Sequence, residues 1–358
     1  MHFYESSIIT TTDGLHCQVY ANEHPVGKIL VKPKYIPTDK IHCDALPYRF
    51  ISGKRMNRLN LWIDKDKLKK YFHDFEEQYN SYVYRELPYG GDRLFFVVPV
   101  DKIERVYFPR KGLSELMSMP EDVLDPHLKN VHQFIQFLIK SGLQLRDFGV
   151  TYSTLMGHYF SDISDINVVV YGKANYWKLM AYLEHASHPL LRWKTREDWM
   201  TFYKGRNRFA LFTEDEFYTQ MKQKKSEGYF NNTLFVLFAA EEEGETWLTW
   251  GDENYTSMGL ATVEGTVTDH LSSVVRPGCY DITDSHIVEG KTKVLVTKVV
   301  FYSRDYGMLA IKGEKIRACG LLEKVESKTK GTYHRVVIGY FDAYITERRE
   351  KEYVKRVQ

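Results

Sequence analysis

The sequence is poor in cysteine, in long apolar runs and in any excess of charge of one sign. Four cysteines in 358 residues, Cys17, Cys43, Cys279 and Cys319, are too scattered for a disulfide framework and read as buried thiols. No run approaches the roughly 20 apolar residues that a membrane-spanning helix needs. The first residues, MHFYESSIITTTDG, lack the basic start and apolar stretch of a secretory leader, so the expected location is the cytoplasm. Lysine and arginine number 49 against 47 aspartates and glutamates, and a net charge of +2 makes no general case for a polyanionic partner. Any nucleic-acid surface must then be a local patch. Internal repeats and low-complexity tracts are also absent. What the chain does have is core: 43% hydrophobic residues, with 15% aromatic, can fill two or three domains.

From about 8 to 110, short alternating or β-branched stretches such as LHCQVYA, GKILVKPKYI and DRLFFVVPV predict strands. One charged insert interrupts them. Leu68, Tyr71, Phe72 and Phe75 keep helical spacing within it, which predicts a surface helix over 64–83 packed on a sheet. A second unit follows, with a helix in DPHLKNVHQFIQFLIKSGL, a doubly buried strand in DINVVVYG and a further helix in NYWKLMAYLEHA. The acidic AAEEEGE at 239–245 predicts a linker. Beyond it, five β-rich segments with Gly, Pro or Asp turns predict a small OB-like β-barrel, and TERREKEYVKRVQ reads as a charged helix or tail.

The chemistry concentrates in GVTYSTLMGHYFSDISDINVVVYG. Gly149 and Ser153 flank a turn whose amides and hydroxyl suit a phosphate, and Gly157 ends a short helix. Asp165 and position 167 share one face of the next strand, because side chains alternate with period two. Two carboxylates at that spacing can share a pair of Mg²⁺ ions. Position 167 is Asn, however, and Tyr152 occupies the place before the serine. A unit charge pair about 4 Å apart is worth roughly 4 kcal/mol near a protein surface, so a neutral amide at 167 forfeits a large part of the attraction for a cation.

This block resembles the glycine-serine turn and Asp-x-Asp strand of the DNA-polymerase-β-like nucleotidyltransferase superfamily. More closely, the chain is similar to an archaeal family of predicted nucleotidyltransferases. Gly149, Val150, Thr151, Ser153, Gly157, Ser164, Asp165, Ile166, Tyr171 and Gly172 match its pattern, and DGLHCQVYANEHPVGKILVKPKYIP and GEKIRACGLLEKVESKTKGTYHRVVIG extend the likeness over most of the chain. Tyr152 and Asn167 depart from it, a glycine and an acid being the family's residues there. The resemblance implies an α+β fold with an N-terminal α/β region (1–112), a central nucleotidyltransferase-like α/β domain (113–245) and the C-terminal OB-like barrel with its tail (246–358).

It also implies transfer of a nucleoside monophosphate from an NTP to a hydroxyl of RNA, a protein or a small molecule, assisted by Mg²⁺ or Mn²⁺. Asp165 and Asn167 would then be the metal ligands and catalytic pair, while Gly149, Thr151, Ser153 and Gly157 would hold the nucleotide. Lys204 and Arg206, in KGRNRF with Arg208, would neutralise developing charge. A third acid is expected on a neighbouring strand; TLFVLFAAEEE offers only Glu241 and Glu242, at its end, and Asp162 stands upstream of the strand. The alternative is a catalytically inactive nucleotide- or nucleic-acid-binding protein. In either case the barrel's Tyr280, Phe301, Tyr302, Tyr306 and Tyr333, interleaved with Arg276, Arg304, Arg335 and several lysines, are the expected stacking platforms for a single strand. A second basic run, MKQKKSEG at 221–228, reads as a solvated helix face.

Overall fold

The computed structural model describes residues 2–90, 93–161, 163–205 and 211–357. The first unit is an antiparallel sheet of β1 (Ile8–Thr11), β2 (His16–Val19), β3 (Lys28–Pro37), β4 (Tyr48–Ile51), β5 (Lys54–Arg58), β6 (Val83–Tyr84), β7 (Phe95–Pro99) and β8 (Ile103–Tyr107), with one helix, α1 (Lys65–Gln78). Its strands run in the order β4-β5-β3-β2-β1-β8, and β7 joins both β3 and β6. The Asp64 side chain accepts the Lys67 amide and starts α1, whose Leu68, Tyr71, Phe72 and Phe75 are buried as their spacing predicts. Phe72 and Phe75 both meet Phe96 of β7 edge-on, 5.2 Å between ring centres. Burying each such side chain stabilises by about 1.5–3 kcal/mol, which ties the helix to the sheet. The helix stops short of 83, because residues Asn80–Tyr82 tighten into a 3₁₀ turn that feeds β6.

The second unit opens with α2 (Pro109–Met117) and α3 (Pro126–Ile139), each with proline in its first turn, where the missing amide costs nothing. It continues through β9 (Phe148–Val150), α4 (Tyr152–Met156), β10 (Ile166–Tyr171), α5 (Lys173–His185), β11 (Leu191–Trp193), α6 (Arg196–Lys204), α7 (Glu214–Met221), β12 (Glu227–Phe230) and β13 (Thr233–Ala240). The sheet order is β11-β12-β13-β10-β9, with β10 and β13 parallel. Leu113 of α2 belongs to the core under this sheet. Trp199, Phe217 and Met221 of α6 and α7 instead join the core of the third unit.

In that third unit β14 (Glu253–Asp269), β15 (Gly278–Glu289), β16 (Lys298–Phe301), β17 (Lys315–Ser327) and β18 (Gly331–Ile338) form a ring. Its order is β14-β15-β16-β18-β17, closed by pairing of β17 with β14, and β16 lies parallel to β18. The expected tail is a strand: β19 (Tyr353–Val357) pairs with β17 and buries Val354. Nor is 239–245 a loose linker, since Glu241 is buried and Glu245 accepts the Lys173 amide that opens α5. The run 221–228 is also not uniformly solvated, because Lys224 is buried and its ammonium donates to the Asp305 carbonyl at 2.6 Å.

Tyr302, Tyr340 and Phe341 pack into the core of the first sheet, so the ring and that sheet share one interior. At this seam Glu323 accepts from Arg93 Nε and Arg335 Nε, each at 2.9 Å, and from the Tyr340 hydroxyl at 3.1 Å. Among the described residues no helix is long and apolar enough to cross a membrane.

Candidate functional site

The N-terminal end of β10 opens onto a cleft of about 340 Å³ between the second unit and the first sheet. Alternation within INVVVY turns Val168 and Val170 into the core under β10 and leaves Asn167 half-buried in the cleft wall, with Asp165 just before the strand. Ser153 of α4 lines the same cleft. The opposite wall comes from the first sheet. In KILVKPKYIP, Lys32 and Lys34 fall two apart on the half-buried face of β3, and Arg49 and Arg58 on β4 and β5 complete a basic wall.

Charge in this cleft is one-sided. Among the described residues, four basic side chains, Lys32, Lys34, Arg49 and Arg58, share the lining with one carboxylate, Asp165. Burial holds the Lys34 ammonium well below its ordinary pKa, Arg58 and Lys32 push it the same way, and Asp165 opposes them. His158, whose Nε2 lies 3.3 Å from the Tyr35 hydroxyl, is depressed to about 4 by burial first and then by Lys34 and its basic neighbours.

Several expected site residues have other work. Gly149 sits inside β9 opposite Val169, where an added Cβ would meet Pro109 Cβ at 2.6 Å; it is glycine so that α2 can approach, not so that a phosphate can. Thr151 is buried, and both its donors are engaged within the chain, the hydroxyl donating to the Ser6 carbonyl at 2.7 Å and the amide to the Asn167 carbonyl at 3.1 Å. Gly157 does end α4, at φ 73°, but is exposed and lies outside the cleft lining. With α4 only five residues long, no strong helix dipole reinforces Ser153. Lys204 is exposed at the end of α6, 4.0 Å from Glu214, and does not line the cleft. Arg206, Arg208 and Asp162 lie outside the described residues.

The departures from the motif have structural consequences. Tyr152 holds φ at 56°, the left-handed region that glycine enters at little cost, and its ring packs edge-on to Phe238 at 5.6 Å and under the Lys34 ammonium at 3.5 Å. Asn167 Nδ2 donates to the Asp165 carbonyl at 3.2 Å, so its amide is turned toward its own chain. On β13, the parallel neighbour of β10, Asn167 stands opposite Val236, and Phe238 follows; neither is an acid. Glu241 pairs with Lys173 at 3.2 Å, with its carboxyl raised to about 7 by burial, and Glu242 pairs with Arg110. Among the described lining residues, the groups with the chemistry to hold a divalent cation are the Asp165 carboxylate and the Asn167 side-chain carbonyl.

The stacking platforms expected on the ring are not a surface. Tyr280, Phe301, Tyr302 and Tyr306 are buried, Arg335 is buried on Glu323, and Tyr333 donates to Glu253 at 2.8 Å. The basic wall of β3 to β5 went unread in the sequence, although the Lys32, Lys34 alternation inside an apolar strand was a visible signal for it.

No family model and no solved structure matches this chain. It is 27% identical over 353 residues to an uncharacterized protein of Methanocaldococcus jannaschii, and the alignment covers 97% of each chain. The likeness therefore runs through all three units, not the motif alone.

Proposed function

We propose that this cleft binds the polyphosphate of a nucleotide, on a nucleotidyltransferase-like unit in which Asp165 is the one carboxylate among the described lining residues. The observation that carries the reading is the imbalance of Lys32, Lys34, Arg49 and Arg58 against Asp165 in one wall-to-wall lining. Basic side chains gathered around a concave site raise the local concentration of anions, and guanidinium forks match phosphate oxygens. The donor set suits a single Mg²⁺ or Mn²⁺ shared between Asp165 and ligand phosphates, because Mg²⁺ is commonly held by one or two carboxylates plus substrate. It does not suit a pair of ions, for want of acids at 167 and on β13. The parallel pairing of β10 with β13 and the five-stranded ring that closes on itself support the nucleotidyltransferase-like and OB-like readings of the two units.

Ser153 and Asp165 in one lining also favour residual nucleotide transfer to a hydroxyl as a second reading. One experiment separates the two: binding of Mg²⁺-NTP by calorimetry beside transfer of label from α-³²P NTPs into protein or RNA, for wild type, Asp165→Ala and Asn167→Asp. Binding without transfer in wild type, with transfer gained in Asn167→Asp, is the expected result. Absence of NTP binding in wild type sinks the proposal, and transfer by wild type that Asp165→Ala abolishes establishes the second reading.

A further inference from the structure

The cleft does not end at Tyr152. Lys32, Arg58, Gln18 and Tyr152 belong equally to a second chamber of about 400 Å³, which runs on between the first sheet and the ring. Each chamber is within the size range of a small-ligand site, and the shared wall makes them one trough. The far chamber repeats the chemistry of the near one. Arg276 and Arg304 line it beside the Asp305 carboxylate, and both lean on the fully buried Glu5, which lies 3.2 Å from Arg276 and also pairs with Arg304.

With Lys32 and Arg58, four cations line this chamber against the Asp305 carboxylate among the described residues, with Glu5 buried behind them. Arg304 keeps Nε and Nη1 buried without a hydrogen-bond partner. A buried donor left unmade costs about 1–3 kcal/mol, which an anion in the chamber would offset. Both guanidiniums are braced by stacking, Arg304 over Phe238 and Arg276 over Tyr20, each at 4.2 Å, so they are held in place before any ligand arrives. Half-buried Trp62 adds an aromatic wall.

We infer that the trough holds a single-stranded nucleic acid, whose successive phosphates are met first by the basic wall at Asp165 and then by Arg276 and Arg304. A mononucleotide needs one chamber only. Cationic sites repeated along a continuous trough, with aromatic rings between them, are what a phosphodiester strand requires. The inference rests on the nucleotide-binding reading of the near chamber and extends it to a polymer.

The test uses two exposed residues that line the far chamber alone, Pro47 and Asn60, because Arg276 and Arg304 are tied into the fold through Glu5. Asn60→Asp keeps the oxygen that accepts the Trp62 amide and adds one negative charge; Pro47→Glu adds a second. Fluorescein-labelled octamers of uridylate and thymidylate are titrated by anisotropy against wild type and the double variant, and Mg²⁺-ATP by calorimetry against both. The expected result is a wild-type octamer affinity that falls with log salt at a slope of about −2 to −3, as for three or four phosphate contacts. The double variant then loses about tenfold or more for the octamer and changes less than threefold for ATP. Tighter uridylate binding assigns RNA, and equal or tighter thymidylate binding assigns the phosphate chain irrespective of sugar. Octamer binding that the double variant leaves unchanged overturns the inference, as does ATP binding without octamer binding in wild type, which leaves the nucleotide reading intact. Failure of both ligands overturns the two together.

Discussion

At the seam between the first sheet and the ring, Arg93 and Arg335 close on the two oxygens of Glu323, and all three side chains are buried. In the cleft at Asp165, Lys32, Lys34, Arg49 and Arg58 gather around one carboxylate and stay within reach of solvent. The residue types are the same and the outcomes differ. Where each guanidinium finds a carboxylate oxygen in a dry site, removing one partner strands a buried charge, so the cluster serves cohesion and register. Where cations outnumber anions in a concavity, as they do among the described lining residues here, their mutual repulsion makes an anion welcome, which is the basis of the proposed nucleotide site.

That contrast can be broken most forcefully at the seam. Glu323→Gln should destabilise the protein by about 3–5 kcal/mol, read by chemical denaturation, because the buried Arg93 and Arg335 lose the carboxylate they share and Arg335 keeps only Glu253, at 3.7 Å. A loss under about 1 kcal/mol would mean the seam network contributes little. At the cleft the expectation reverses: Arg58→Glu should cost roughly tenfold to a hundredfold in nucleotide affinity, about 1.4–2.8 kcal/mol. Its effect on stability should stay within about 0.5 kcal/mol, since Arg58 is exposed.

Titration sharpens the same comparison. Lys34 and His158 are both held below their ordinary pKa by burial and neighbouring cations, so a polyanion set beside them should raise both. Nucleotide binding at pH 7 should accordingly take up protons, seen as a calorimetric heat that depends on the buffer's ionisation enthalpy. For folding the sign is fixed too. A histidine at about 4 when folded and near 6.5 when unfolded binds more protons unfolded, so stability is lost as pH falls from about 6.5 to 4. His158→Gln should flatten that stretch of the urea-midpoint profile.

The smallest effect is expected at Tyr152. Tyr152→Ala retains a left-handed residue with a Cβ and loses the ring contacts, whereas Tyr152→Gly loses the contacts but relieves the backbone, so glycine should be the more stable of the two by about 1 kcal/mol. Thermal denaturation of the pair checks it, and an order of alanine above glycine would mean the backbone strain is not felt.

Much of the scaffold was legible. The apolar faces of α1 and α3, the buried strand β10 with Asp165 at its start, and the five ring strands all follow from local periodicity. The misreadings share a cause. Gly149, Thr151 and the ring aromatics are read as ligand-facing by residue type, yet α2, Ser6, the ring's own core and, for Tyr302, the core shared with the first sheet take them, and Lys204 stands exposed away from the cleft. Conversely, KILVKPKYIP declared a lysine-bearing face on β3 but could not say what lay across from it.

The sequence by itself determined where helices and strands form and which side of each is apolar, because an element must bury that side whatever its neighbours are. It also determined that Asp165 has no second acid at position 167. Only the tertiary structure decided that β3, β4 and β5 set their cations before Asp165, and that Arg276 and Arg304 extend the row. Polar faces are free to meet water or one another, so their partners are chosen by how the buried faces pack and not by any local pattern of their own.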